Sequence, residues 1–440
     1  MTETIYPKWT LSQKIIFRFF FCYFLIYIFP FPLDTVPFAS ELFNLNKKLG
    51  EYYATVTGSF NELLHIIIPS FAKNILHLKN PITIFTNGSG DTTYDYVLVL
   101  FFFVIAILAT LIWSIIDRKR ESYHVAYYWL RTILRFYLLV MMFGYGFAKV
   151  MHNQMPSPAN WQLVQLFGNK SPMGLTWSFV GFSKGFSAFT GWGEVIAGLL
   201  LIFRRTTTAG ALLVAVVMAN IMAINYCYDV PVKLFSSMLF LMAVFLLAPD
   251  ASRIWDFFFR NQSTQLKRFN FTFQRRWLRI AKIVYKWLFV IYAFYVNISQ
   301  NLDQQKQYGD TRITPKFYGI YTTNYFIKNR DTVPPLTTDT SRWKYFIVDY
   351  AGQATIVKMN DSMKFYNFTL DTLAHSAEMS ARKIPNFKAK LFYSSDSAHI
   401  FLNGKIGDDS VEIKLDKFDR NKFLLINRGY NWVNEYPLNR

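Results

Sequence analysis

Apolar runs of near-membrane length occupy positions 15–33, 95–116, 125–149, 189–204, 207–228, 231–248 and 279–298. Each approaches the roughly 20 residues that a helix needs to cross about 30 Å of hydrocarbon, so about seven transmembrane helices are expected. From about residue 300 the period changes from helical to two. "WKYFIVDY", "ATIVKMN", "MKFYNFTLD", "AKLFYSS", "AHIFLNGKI", "SVEIKLD" and "KFLLINR" alternate apolar with polar positions, and AGQ, NDS, SSDS, GDD and NRG turn signals separate them. Eight or nine such strands in about 125 residues predict an antiparallel meander, and closure into a small barrel solves its edge problem better than a sandwich. The fold class expected is a polytopic α-helical membrane bundle followed by a C-terminal all-β antiparallel barrel.

Basic residues orient the spans. Lys8, Lys14 and Arg18 precede or open the first, Arg118, Lys119 and Arg120 separate the second and third, and Arg204 and Arg205 separate the fourth and fifth. The segment "RIWDFFFRNQSTQLKRFNFTFQRRWLRIAK" lies between the sixth and seventh. The positive-inside rule puts all four groups in the cytoplasm, with the N-terminus inside and the C-terminus outside. The chain then divides into an N-terminal membrane region over 1–124 with an extracytoplasmic loop at 34–94, and a four-helix core over 125–250. A basic cytoplasmic segment with the last helix covers 251–298, and an extracytoplasmic β-domain covers 299–440. The first run reads as an uncleaved anchor, since no A-x-A-like site follows it. Within the first loop, "FNELLHIIIPSFAKNILHL" has the periodicity of a short helix lying on the membrane surface, and "NGSGDTTYDY" supplies a turn into the second span.

Composition agrees with a membrane as the sink for apolar surface: 52% of residues are hydrophobic, 19% are aromatic and 45 are Phe. A net charge of +19 accompanies no nucleic-acid-binding signature and is read as membrane-flanking charge, with no nucleic-acid partner. Cys22 and Cys227 form no CxxC, which argues against dithiol relay chemistry and structural zinc. None of the six histidines has a paired-ligand spacing, and His124 and His152 lie at opposite ends of one helix, so no haem or metal signature is present. GxSxG, Walker and dinucleotide motifs are absent, and no catalytic residue is identifiable.

The third span carries the most chemistry. At 100° per residue Arg131, Arg135, Met142 and Lys149 fall within about 40° of one another, forming one stripe along the helix. A polar stripe in lipid faces protein or water, unless its long side chains snorkel to the headgroups, an alternative that stays open for Arg131, Arg135 and Lys149. Glu194, in "GWGEVIAGLLLIFRR", lies at the depth expected for Lys149 and is the expected partner for it, as a structural clamp or as part of a binding site. Gly191 and Gly198 share its face and permit close helix approach. Asn225, Asp229 and Lys233 lie at the outer ends of the next two spans. With His152 they either form a polar chamber around Lys149 and Glu194 or make an ordinary wet interface at helix ends.

The stretches "YLLVMMFGYGFAKV" and "GWGEVIAGLLLIFRRTTTAGALL" resemble the DoxX-like membrane family, over roughly residues 125 to 250. Gly146 and Lys149 match its first element, and Gly191, Glu194 and Gly198 match its second. With "VPPLTTDTSRWKYFIVDYAGQATIVKMND" and "NRGYNWVNEYP" in the tail, the whole layout looks like the long members of the family from Bacteroidetes. The resemblance implies a bacterial inner-membrane protein of a family named for a subunit of thiosulfate:quinone oxidoreductase, with other members tied to redox protection. The extra spans, the long loop and the β-domain go beyond the minimal family. The tail is also similar to lipocalin-like barrels, which bind apolar ligands. The expectation is a redox-associated, quinone- or lipid-binding subunit with an outward-facing site. Lys149, His152, Glu194, Asn225, Asp229, Lys233 and Arg135 would serve as binding residues, and Gly146, Gly191 and Gly198 would provide helix packing. The alternative is a non-enzymatic scaffold that recruits a periplasmic protein partner through the β-domain.

Overall fold

The first helix begins where Thr10 and Gln13 satisfy each other's backbone N–H groups, a capping box at 3.0 and 3.3 Å. It runs as α1 (Leu11–Ile28) and stops before Pro30 and Pro32, about one turn earlier than its apolar run suggests. The computed structural model describes residues 8–38, 47–85, 87–263, 271, 273–381 and 387–439. They belong to two compact units: Met1–Met155 with Ser183–Gln305, and Pro156–Phe182 with Lys306–Arg440.

In the first unit α1 is followed by α2 (Lys47–Asn74), α3 (Thr93–Ile116) and α4 (His124–Val150). The expected short helix in the first loop is thus the end of a 28-residue one, whose Leu64, Ile68 and Ala72 are buried at i, i+4, i+8 spacing. Among the described residues six helical runs are long and apolar enough to cross a membrane: α1, α3, α4, α8 (Thr207–Cys227), Lys233–Arg260 and α11 (Arg276–Gln307). Lys233–Arg260 comprises α9 (Lys233–Leu247), a 3-10 turn and α10 (Ala251–Arg260). The remaining expected span, at 189–204, is α7 (Lys184–Leu201). Its Lys184, Glu194 and four glycines lower its hydropathy below that of the six.

α4 forms the centre of this unit. Leu130, Leu134, Leu138, Leu139, Met142 and Phe143 along it are all fully buried. Arg18, which the sequence presents as a flanking charge, is buried at the α1–α3–α4 junction. Its guanidinium donates to Ser114 Oγ at 2.8 Å, to the Asp117 carbonyl at 3.0 Å and to the Tyr123 hydroxyl at 2.7 Å. All three acceptors belong to α3 and the turn that follows it, so the charge is held without snorkelling.

The second unit is a closed antiparallel barrel of eight strands, β1 (Gly319–Lys328), β3 (Trp343–Tyr350), β4 (Gln353–Lys358), β5 (Met363–Asp371), β6 (Ser376–Ser380), β7 (Lys388–Ser395), β8 (His399–Ile406) and β9 (Asp409–Phe418), each paired with its sequence neighbour and β1 paired back to β9. The short β2 (Asp331–Thr332) turns back on the end of β1. Closure register runs from Ile320 opposite Phe418 to Lys328 opposite Val411. β1 pairs with β3 (Trp343–Tyr350) only from Gly319 to Thr322. Beyond that the buried Arg342 guanidinium spans the gap, donating to the carbonyls of Val333 at 2.6 Å and Asn324 at 3.0 Å. Alternation then selects the interior: Ala389, Leu391 and Tyr393 on β7 (Lys388–Ser395), and Val411, Ile413 and Leu415 on β9 (Asp409–Phe418). With Trp343, Phe346 and Phe368 among them, these side chains fill the barrel, as an eight-stranded barrel allows.

The stretch between α4 and α7, a plain connection in the sequence, belongs to this unit. Its α5 (Asn160–Val164) and α6 (Pro172–Phe182) are separated by a 3-10 turn. The backbone N–H groups of Asn160 and Trp161 donate to the Asp349 carboxylate of β3 at 2.9 and 3.1 Å. Trp161 and Val164 cover an outer apolar patch of Ile320, Ile347 and Val357. Burial pushes the Asp349 carboxyl up from its ordinary range, against the two N–H donors that favour its charged form.

Candidate functional site

Ser183 starts α7 by accepting from the Phe186 N–H at 3.2 Å, and the helix then runs antiparallel along α4. Ser187 donates to the Lys149 carbonyl at 2.9 Å, while further along α7 Gly198 faces Met142 and Phe143. Between these points the backbones touch. A methyl group on Gly191 would stand 2.6 Å from the Gly146 carbonyl oxygen and 2.7 Å from the Val150 nitrogen. Both obstacles are backbone, so α4 and α7 must separate to admit a side chain. On Gly198 the same methyl meets the Phe143 ring at 3.0 Å, and a ring can shift. Gly191→Ala is therefore expected to cost about 3 kcal/mol and Gly198→Ala about 1 kcal/mol, read as loss of thermal stability in detergent; equal costs would overturn the backbone-contact account.

Close approach brings the Lys149 ammonium to 2.6 Å from Glu194 Oε1, with Lys149 7% and Glu194 1% exposed. The Tyr145 ring lies 5.8 Å from the same ammonium. Glu194 Oε2 is also buried and has no hydrogen-bond partner among the described residues. His152 follows α4 with a positive φ of 59°, and its N–H donates to the Lys149 carbonyl at 3.0 Å.

Among the described residues Asn225, Asp229 and Lys233 find partners other than Lys149 and Glu194. Asn225 donates to Ser236 Oγ at 3.0 Å across the α8–α9 turn. Lys233 pairs with Asp229 at 2.8 Å and lies 3.8 Å from Asp91. Asp91, which the sequence reading passed over, accepts the N–H groups of Lys233 and Leu234 at 2.7 and 3.0 Å, and so caps α9 from the loop before α3. Its signal is a carboxylate beside the "NGSG" turn, where a free acid has no local partner.

Arg135 is 14 residues before Lys149 on α4, about 21 Å away along the helix. It lines a cavity of about 910 Å³ whose walls come from the α1, α4, α8 and α9 regions together with Arg204. Phe17, Phe20, Leu241, Val244 and Phe245 make its apolar side. Arg131, Arg135 and Arg204 bring charge to it, and Asp250 is the one carboxylate in the lining among the described residues. Arg135 reaches Thr207 Oγ1 at 3.5 Å, Arg131 donates to the Leu246 carbonyl at 3.0 Å, and the Arg204 guanidinium stacks 4.9 Å from the Tyr128 ring. Asp250 is engaged by Arg253 and by Thr208, each at 2.5 Å. Neither Lys149 nor Glu194 lines this cavity. Among the described residues no three His, Cys, Asp or Glu side chains come together as a metal site would need.

The DoxX family model matches residues 130–226, which include both the Lys149–Glu194 pair and the three arginines. An uncharacterized protein, YwoB, of Bacillus subtilis strain 168 is 32% identical over 133 residues, covering 28% of this chain and 79% of the relative. No solved structure matches the chain significantly. α1 to α3 and the whole barrel unit after residue 306 lie outside the matched family domain. The chain belongs to the DoxX family of membrane proteins, as a long member whose C-terminal extension is a closed eight-stranded β-barrel.

Proposed function

We propose that this protein holds a quinone- or lipid-type amphiphile within the bilayer, in the cavity between α1, α4, α8 and α9. The observation that carries this reading is the cavity itself: about 910 Å³ with largely apolar walls and three guanidinium groups. That size and mixture suit a ligand with an apolar body and one polar end. The reading moves the binding role from Lys149 and Glu194 to the opposite end of α4. The Lys149–Glu194 pair is a helix clamp in this view, since the ammonium meets Glu194 Oε1 at 2.6 Å at a crossing that leaves no room between the backbones. The barrel interior is filled with side chains, which favours a structural or surface role for that unit over ligand storage. We place the protein in the bacterial inner membrane, with the N-terminus cytoplasmic and the barrel periplasmic.

Leu241→Trp tests the assignment by filling the cavity from α9. Extraction and mass analysis of the purified protein are expected to recover a bound amphiphile from the wild type and at least tenfold less from the variant. Equal recovery from both, with the variant folded, would remove the cavity as the binding place.

A further inference from the structure

We propose that the cavity selects a lipid with a net-negative, phosphate-bearing headgroup, a deepening that rests on the cavity being the amphiphile site. Arg131 and Arg135 are one helical turn apart on the same face of α4. Arg204 approaches from the turn after α7, oriented by its stack on Tyr128. Among the described residues Asp250 is the one lining carboxylate, and it already accepts from Arg253 and Thr208, so the lining carries more positive than negative charge. Arg135 is only 8% exposed, which removes it from the class of arginines that simply reach out to water. Arg131 lines the same cavity and donates to the Leu246 carbonyl at 3.0 Å, which fixes its guanidinium at the wall.

Guanidinium groups present paired N–H donors at the spacing of two phosphate oxygens, and they stay charged at every physiological pH. A quinone is neutral and offers isolated carbonyl acceptors, so it compensates none of the charge. Inorganic phosphate would satisfy the cations but leave Phe17, Phe20, Leu241 and Phe245 uncovered. A phospholipid meets both demands, with its headgroup among the arginines and its chains along the apolar wall.

The test uses the full chain in detergent, probed by native mass spectrometry with phosphatidylglycerol, phosphatidylcholine, a long-chain quinone and inorganic phosphate. Phosphatidylglycerol should be retained at least tenfold more than phosphatidylcholine or the quinone. Arg135→Gln and Arg131→Gln should each reduce that preference at least fivefold, while Arg118→Gln, on an exposed turn, leaves it unchanged. Should Arg135→Gln fail to fold, Arg135→Lys keeps the charge without the fork and should give an intermediate preference. Competition by millimolar phosphate equal to that by phosphatidylglycerol would overturn the lipid assignment in favour of a free anion. Retention of amphiphiles with no headgroup preference would overturn this inference and leave the cavity reading standing, whereas retention of none would end both.

Discussion

Glu194→Ala is expected to destabilise the bundle by about 3–5 kcal/mol, because it leaves the Lys149 ammonium buried with its only 2.6 Å anionic partner gone. Lys149→Met alone should cost a similar amount by stranding the carboxylate. The double substitution Lys149→Met, Glu194→Leu should return most of that loss, since apolar side chains of similar volume remove both desolvation penalties together. The measurement is thermal unfolding of the four proteins in one detergent, read as a double-mutant cycle. A strongly non-additive cycle, with the folded double variant retaining its amphiphile at wild-type level, is the outcome for a clamp about 21 Å from the cavity. Loss of the amphiphile from a double variant that is as stable as wild type would instead make the pair part of the binding site.

The Lys149–Glu194 pair was legible in the sequence because its residues contradict their surroundings. A lysine and a glutamate inside apolar runs demand an explanation, and Gly146, Gly191 and Gly198 at helical spacing announce a narrow crossing. The barrel was legible for a related reason, since period-two alternation over many short runs has few solutions. The cavity was hidden because its wall residues, such as Phe17, Leu241 and Phe245, are apolar residues of ordinary spans, and Arg204 looks like any charge at a membrane edge. Arg18 misled in the same way: position in the chain said flank, while the acceptors that bury it lie about 100 residues later. The attachment of α5 to the barrel depends on Asp349 accepting from residues 188 and 189 positions earlier, a pairing that no local pattern encodes. The length of α2 was missed because its first turns carry Lys, Glu and Gly rather than an apolar stripe.

The same attachment bears on the topology proposed for this protein. Residues 156–182 leave the bundle after α4 and return to it at α7, while residues 306–440 leave after α11, yet both stretches build one compact unit. On the proposed topology one unit occupies one side, so the ends of α4 and α11 would share it. Between them lie α7, α8, α9 and α11, and only an even number of crossings returns the chain to the same face, so the proposed topology requires α7 to cross despite its polar residues. Its geometry agrees: Ser187 is level with Lys149, and the turn after α7 brings Thr207 level with Arg135, a depth of about 21 Å. On the proposed topology, three crossings by α1, α3 and α4 would put the barrel on the side opposite the N-terminus, and the positive-inside rule applied to Arg118, Lys119 and Arg120 would put that N-terminus in the cytoplasm. In a chain with Cys22 and Cys227 replaced by serine, Ser397→Cys on the exposed β7–β8 turn should react with a membrane-impermeant maleimide in intact spheroplasts. Lys119→Cys should react only after lysis. Labelling of Ser397→Cys only after lysis would mean that α1, α3 and α4 do not make three crossings, and would withdraw the outward placement of the barrel.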